Sequence, residues 1–447
     1  MLGIRRSECH RQTPRTYLPA HTGAFGLPRH LGTRRTTMSR PVYILGGHQT
    51  DFARNWTKQG LGLTAMIKEV THGAFGSVKL EPHQVGSAHV GNFVGELFCG
   101  QGQLGGLVAE AQAGLRELPI SRHEAACASG SMAALAAMTE IEAGRVDISC
   151  VLGLEMMRNV PGETAASHLG AAAWYGHEAQ EARYVWPHMF SELMEEYQRR
   201  YGLDYRHLGA IAQKNLTNAR ANPNAQTRKW DLQPECFTED DIHNPVVEGG
   251  VRRYDCGRVT DGAAVVFLAS QNAAFEYAAR HNIDPKTLPR IEGWGHRTAR
   301  MSYAGKLEDS RDTDYVFPHV RRTIEDAMGR AKVQLNDLDL IETHDCFAIT
   351  EYMAMDHFGI TPAGKSWQAI ENQGTTREGK LPVNPSGGLI GLGHPVGATG
   401  VRMLLDAWKQ ISGNAGDYQI EGATRAATLN IGGSTTTTAV FVVGREA

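Results

Sequence analysis

With 447 residues, 41% of them hydrophobic and 21% charged, the chain is long enough for two or three domain-sized units and a large buried core. Its 45 Lys and Arg against 48 Asp and Glu leave a formal net charge of −3, which supplies no basic field for nucleic acid. No apolar run reaches the ~18 residues of a membrane span. The cysteines (Cys9, Cys99, Cys127, Cys150, Cys236, Cys256 and Cys346) are scattered and form no CxxC pair, which argues against a disulfide framework or zinc ribbon and for a reducing compartment.

Residues 1–40 stand apart. Arg5, Arg6, Arg11, Arg15, Arg29, Arg34, Arg35 and Arg40 face one acid, Glu8, amid Ser, Thr and Gly. That composition reads as a mitochondrial transit peptide; a basic tail without an address has the same composition. No apolar stretch follows to make a secretory signal, and Gly444-Arg445-Glu446-Ala447 is not a Ser-Lys-Leu peroxisomal ending. The mitochondrion is the expected location, with peroxisome or cytoplasm as alternatives.

From residue 41 onward, strand and helix patterns alternate, the signature of an α/β fold. Residues 41–47 read as a buried strand ending in glycines, 62–77 as a helix, 87–94 as a strand and 103–117 as a helix. Cys127 then precedes a helix over 129–142 made almost wholly of small and apolar residues, a composition that predicts burial on all sides. A strand over 148–154 follows. The alternation breaks over 157–255, which is rich in Trp, Tyr, His, Arg and Asn and carries amphipathic helices over 190–201 and 208–222; this reads as an inserted loop domain. The sheet resumes at 262–268. A second unit has strands at 289–294 and 338–342, helices over 315–331 and after Asp345, and a helix over 398–411 before a strand at 426–430. The organisation is therefore a leader at 1–40, a first half at 41–156 and 256–285, the insertion at 157–255, and a second half at 286–447.

The halves rhyme. In one, a turn bearing Cys127 precedes a small-residue helix; in the other, His394 ends a glycine-rich stretch, 384–393, directly before a helix. Such order without close identity suggests duplication of one unit. If the two helices pack together, Cys127 and His394 meet at neighbouring helix N-termini, where partial positive charge would lower a cysteine pKa and bind an oxyanion.

Three blocks carry a resemblance: Glu124-Ala125-Ala126-Cys127-Ala128-Ser129-Gly130-Ser131; Asn384-Pro385-Ser386-Gly387-Gly388 with Gly393-His394-Pro395-Val396-Gly397-Ala398-Thr399-Gly400; and Asn430-Ile431-Gly432-Gly433. In this order, and over residues 41 to the end, they resemble the active-site blocks of thiolases. Most thiolases have Asn-Glu-Ala-Phe where this chain has His344-Asp345-Cys346-Phe347, and a catalytic cysteine where it has Asn430. Loss of one cysteine and gain of another resembles the sterol-carrier-protein-2 (SCP2) type. Thr260-Asp261-Gly262-Ala263-Ala264 is similar to that family's returning strand.

The resemblance implies a thiolase fold: two similar βαβαβαββ halves in a five-layer αβαβα sandwich, with an inserted loop domain, assembled as a homodimer or dimer of dimers. It implies thiolytic cleavage of 3-ketoacyl-CoA, or the reverse condensation, with coenzyme A as substrate and no permanently bound cofactor or metal. Cys127 is then the nucleophile and His394 its base. His394 and His344 bond the enolate oxygen, backbone N–H groups of Cys127 and Gly432 hold the tetrahedral oxyanion, and Cys346 moves protons to the leaving carbon and from the incoming thiol. The family binds coenzyme A mainly through the loop domain, where Lys214, Arg228 and Lys229 could meet phosphates. Arg253-Tyr254-Asp255-Cys256-Gly257-Arg258 stands where common thiolases place a serine near the pantetheine. A ketosynthase-like condensing enzyme, or a non-catalytic lipid-binding protein of this fold, are the alternatives. The Cys346 acid/base and the glycine–histidine block favour thiolase over the first, and the full set Cys127, His344, Cys346 and His394 disfavours the second.

Overall fold

A computed structural model describes residues 40–446; residues 1–39 of the basic leader lie outside the described residues. Nine strands form one mixed sheet: β1 (Val42–Gln49), β2 (Ser87–Gly91), β3 (Ile120–His123), β4 (Ile148–Glu155), β5 (Gly262–Ser270), β6 (Arg290–Thr298), β7 (Leu340–Thr343), β8 (Arg425–Gly432) and β9 (Thr437–Gly444). Their order is β3-β2-β4-β5-β1-β6-β9-β8-β7. In the first half β2 runs parallel to β3 and β4, and β5 lies antiparallel between β4 and β1. The second half repeats this arrangement: β7 is parallel to β8, β9 lies antiparallel between β8 and β6, and a bridge from Ile341 to Val383 stands where β3 does in the first. The duplication read from residue order is thus a duplication of topology. The halves meet edge to edge at Val42–Ile291 and Tyr43–Arg290.

Helices cover the sheet in three layers. Helices α1 (Leu63–Val78), α2 (Leu104–Ala111) and, later in the chain, α6 (Gln271–His281) cover the outer face of the first half, whose core includes Met66, Ile67, Val90, Leu152, Val265 and Phe267. Helix α7 (Pro318–Ala331) covers the outer face of the second half. Between them run α3 (Ser129–Glu142) and α9 (Val396–Ile411), packed against each other and both halves. Their close approach requires glycine. A Cβ at Gly130 would lie 2.8 Å from the Gly397 carbonyl oxygen, and one at Gly400 2.3 Å from Ser131 Oγ. The alanine-rich face of α3 is a consequence of this crossing, since large side chains would separate the helix N-termini that carry the site.

The segment between β4 and β5 supplies α4 (Val185–Tyr201) and α5 (Tyr205–Ala219). These pack onto α8 (Ala348–Phe358), which is buried along its whole length, so the insertion shares a core with the second half. Phe190 stacks on Phe347 at 4.4 Å, and the Tyr197 hydroxyl donates to Asp356 at 3.1 Å. Several boundaries differ from the sequence reading. The strand expected over 87–94 stops at Gly91, because the Asn92 amide donates to the Leu154 carbonyl and the Glu155 carboxylate. The helix expected to 117 ends at Ala111, where Gln112 is extended and its side chain accepts the Gly114 N–H. Strands β3 and β9 were not anticipated. Among the described residues no helix is long and apolar enough to cross a membrane.

Candidate active site

Cys127 occupies a single tight turn, Ala126–Ala128, leading into α3. Ala126 sits at φ +50°, a conformation costly for a residue with a Cβ. Three contacts hold it there. The Glu124 carboxylate accepts the Ala126 N–H at 2.6 Å, the Ser129 hydroxyl donates to the Ala126 carbonyl at 2.6 Å, and the same hydroxyl accepts the Ala125 N–H. His394 follows Gly393 (φ +118°); its backbone N–H donates to Thr260 Oγ1 at 3.0 Å and its backbone bridges Val259. His344 directly follows β7. Its neighbour Asp345 faces away from the site, accepting N–H groups from Ile390 and from the Asn215 amide, which fastens the glycine-rich stretch to the 344–347 loop.

The tertiary fold brings Cys127, His344 and His394 together: Sγ and one ring nitrogen from each histidine all lie within 4.8 Å of one another. The two rings meet edge-to-face, 5.1 Å apart and at 88°. Their outer nitrogens are tied differently. Thr399 donates its hydroxyl proton to the Pro395 carbonyl and therefore accepts from His394 Nδ1–H at 2.6 Å, which leaves an unpartnered Nε2 lone pair on the cavity side. Asn430 instead donates an amide N–H to His344 Nδ1 at 3.1 Å, so His344 carries its proton on Nε2. These tautomers are assigned from the hydrogen-bond network. One histidine is poised to take a proton and the other to donate a hydrogen bond. The same spacing could admit a metal, but a proton on His344 Nε2 occupies the lone pair a metal would need.

Burial pushes the Cys127 thiol up to about 12; buried Glu155 adds to the rise, and the N–H groups of Gly433 and Cys127 oppose it. The lowered cysteine pKa anticipated from helix position is therefore overturned by desolvation. Burial, with the Arg402 cation adding, holds His394 down at about 3. Burial, followed by His394 and Arg402, holds His344 well below the ordinary imidazole range. Arg402 is itself fully buried between Glu342 at 2.9 Å and Asp406 at 3.1 Å. The resting site is a neutral thiol beside two neutral imidazoles.

Cys346 lines the same cavity but is not in the three-residue cluster; burial, then Cys127 and Asp345, push its thiol well up. The N–H of Gly433 faces the Cys127 thiol; its neighbour Gly432, the residue expected to donate to the oxyanion, has its Cα packed so closely on Ala125 that a Cβ would lie 2.1 Å from the Ala125 carbonyl oxygen. Lys306, buried and held down at about 7 by desolvation, anchors the 433–436 turn. Its ammonium donates to the Ser434 carbonyl, Ser434 Oγ and Thr436 Oγ1, each at 2.7 Å.

The cavity above the cluster, ≈ 320 Å³, is walled by Phe93, Met157, Leu169, Trp186, Phe190 and Phe347, with Arg253 and Arg258 on one side. The three cations expected to meet coenzyme A do not line it. Lys214 is half-buried, 2.9 Å from Glu351 and 2.6 Å from the Val383 carbonyl. Arg228 forms a two-pronged pair with Asp51 at 2.8 Å. Lys229 is exposed outside the cavity. Arg258 is the cation the sequence reading left unassigned. Desolvation lowers its pKa, one guanidinium nitrogen is buried without a partner, and it lies over the Tyr254 and Trp230 rings. Its place in the segment that departs from the common thiolase pattern was the available signal.

The chain belongs to the thiolase family: residues 42–272 match the thiolase N-terminal domain and 303–445 the thiolase C-terminal domain-like family. It is 32% identical over 406 residues to an acetyl-CoA acetyltransferase of Methanothermobacter thermautotrophicus, covering 91% of this chain and 100% of that protein. It is 28% identical to sterol carrier protein 2 of Gallus gallus, covering 88% of this chain and 70% of that one. Among solved structures, an Ltp2-ChsH2(DUF35) aldolase superposes with TM-score 0.72 at 17% identity, covering 91% of this chain and 98% of that one. Human mitochondrial 3-ketoacyl-CoA thiolase superposes with TM-score 0.62 at 18% identity, covering 91% and 99%. These two likenesses are of fold.

Proposed function

We propose that the protein is an SCP2-type 3-ketoacyl-CoA thiolase (acetyl-CoA C-acyltransferase), able also to run the reverse condensation. The observation that carries this reading is the pair of histidines beside one thiol, one tied at Nδ1 to the Thr399 hydroxyl and the other to the Asn430 amide, beneath an apolar cavity. His394 Nε2 takes the Cys127 proton as Sγ attacks the keto carbon of the substrate. The charge developing on oxygen meets backbone N–H donors from Cys127 and Gly432, the latter beside the Gly433 N–H that faces the thiol. The C2–C3 bond then breaks, leaving an acyl thioester on Cys127 and the enolate of acetyl-CoA, whose oxygen accepts from His344 Nε2–H. Cys346 gives its proton to the enolate carbon and regains one from incoming coenzyme A. The coenzyme A sulfur attacks the acyl group, and Cys127 leaves and recovers its proton from His394.

Arg258, with Arg253, replaces Lys214 and Arg228 as the cation proposed to face an anionic part of the coenzyme A ester. A homodimer is supported by the resemblance and by β3, an edge strand with one ladder partner, β2, among the described residues. Import into mitochondria rests on the composition of residues 1–40 alone; a reporter fused to them and left diffuse in the cytosol would remove that support.

The deciding experiment supplies 3-ketoacyl-CoA of several chain lengths with free coenzyme A. The expected products are acetyl-CoA and an acyl-CoA two carbons shorter, with an acyl adduct on Cys127 by mass spectrometry. Consumption of malonyl-carrier protein without coenzyme A-dependent cleavage would establish the ketosynthase alternative instead.

A further inference from the structure

Asn430 lies at the end of β8, buried, where the resemblance leads one to look for a cysteine. Every polar atom of its side chain is engaged. Oδ1 accepts from the Ser131 hydroxyl at 2.7 Å, and Nδ2 donates to the Cys127 carbonyl at 3.1 Å and to His344 Nδ1 at 3.1 Å. The amide has only one tenable orientation. Rotating it by half a turn would set Oδ1 against the Cys127 carbonyl oxygen, acceptor against acceptor, in a buried site where an unmet polar atom costs ~1–3 kcal/mol. The carbonyl of the nucleophile's own residue therefore fixes the Asn430 amide, and the amide fixes the proton of His344.

We infer that Asn430 is a positioning residue that holds His344 as the Nε2–H tautomer and couples that choice to the backbone of Cys127. A side chain with no N–H at this place would leave Nδ1 free to carry the proton, and His344 would then present a lone pair where the proposed enolate needs a donor. Next to it, Thr399 imposes the opposite tautomer on His394 through a hydroxyl committed to the Pro395 carbonyl. Two chemically identical rings, 5.1 Å apart, are thus given different functions by the groups behind them. Gly400 makes room for this: a Cβ there would lie 2.6 Å from Asn430 Oδ1 and 2.3 Å from Ser131 Oγ.

This inference rests on the thiolase reading for its consequence, but its test has a readout independent of thiolysis. In ¹⁵N-histidine-labelled protein, with the His344 signals assigned by their loss in His344→Asn, His344 is expected to show a protonated Nε2 and an unprotonated Nδ1 at neutral pH. Asn430→Asp places an acceptor against Nδ1 and should move the proton there, leaving a lone pair on Nε2. C–C cleavage of 3-ketoacyl-CoA should then fall at least ~10²-fold, the scale for one lost oxyanion donor. Acylation of Cys127 by a simple acyl thioester, which needs His394 and no enolate, should fall less than about tenfold. Asn430→Ala, which supplies neither donor nor acceptor, should show mixed tautomers and an intermediate cleavage rate. A wild-type His344 carrying its proton on Nδ1 would overturn the inference with no variant needed. A folded Asn430→Asp that cleaves at the wild-type rate, or loses both reactions equally, would also overturn it. If the tautomers behave as expected but the protein cleaves no 3-ketoacyl-CoA, the functional reading fails and the positioning role stands.

Discussion

Cys127 should rest as a thiol, without a thiolate–imidazolium pair. Two effects compete. The N-terminus of α3 favours the thiolate by up to ~2 kcal/mol in a partly buried geometry. Desolvation opposes it: with the thiol pushed up to about 12 and His394 held down at about 3, moving the proton from Sγ to the imidazole costs on the order of 12 kcal/mol before the two new charges attract, and their attraction within 4.8 Å returns only about 3–4 kcal/mol at an effective dielectric of ~20. Even if half of the remainder were recovered by relaxation, desolvation would still win. Deprotonation must then accompany attack on the substrate, when charge passes from sulfur to an oxygen facing N–H donors. The perturbation is pH, with Cys127→Ala as reference. The difference in thiolate absorbance near 240 nm between wild type and variant should stay near zero from pH 6 to 9, and iodoacetamide should label Cys127 at a rate still rising through pH 9. One equivalent of thiolate at pH 7, with a midpoint below pH 7, would refute the argument and restore helix position as the dominant effect.

Other consequences can be checked separately. Cys346→Ala keeps Cys127 and His394, so it should still form an acyl-enzyme from a simple thioester while steady-state thiolysis falls at least ~10²-fold; near-normal thiolysis would leave Cys346 as core. Gly400→Ala should destabilise the protein by ~1–3 kcal/mol or more in urea unfolding, because its Cβ would meet Ser131 Oγ at 2.3 Å and the Ser131 backbone nitrogen at 2.4 Å. For His394 the folded pKa, about 3, lies below the unfolded value near 6.5, so its contribution to stability is complete above pH 6.5 and is lost as pH falls toward 3. His394→Asn should accordingly lose less stability than wild type between pH 7 and pH 5 in urea titrations. An equal loss would remove His394 from the acid response.

Where a feature was written into consecutive residues, it was legible. The start of α3 follows from a run of small and apolar residues over 129–138, while Thr139, Glu140 and Glu142 leave its last turn less buried than that run led one to expect, and β4 and β5 follow from apolar runs buried on both faces. β3 was not legible: Ile-Ser-Arg-His has no apolar alternation, and only parallel pairing with β2 makes it a strand. β9 was hidden by the threonines that precede Val440-Phe441-Val442-Val443. Charge alone does not single out a coenzyme A contact. A lysine or arginine in an inserted segment looks the same whether it waits for a phosphate or for Asp51 and Glu351, far away in the chain.

The sequence by itself determined the α/β alternation, the duplicated plan and the candidate set Cys127, His344, Cys346 and His394 that lines one cavity, because each is carried by local pattern or by a short motif. Only the tertiary structure decided what those groups are at rest. A cysteine's pKa depends on how much water reaches it, and a histidine's proton sits where its outer nitrogen's partner permits. Those partners, Asn430 for His344 and Thr399 for His394, and the buried Arg402 whose charge acts on both rings, are brought into place by the crossing of α3 and α9 and by the pairing of β7 with β8. Hydrogen bonding and desolvation act through distance in space, which residue order alone does not contain.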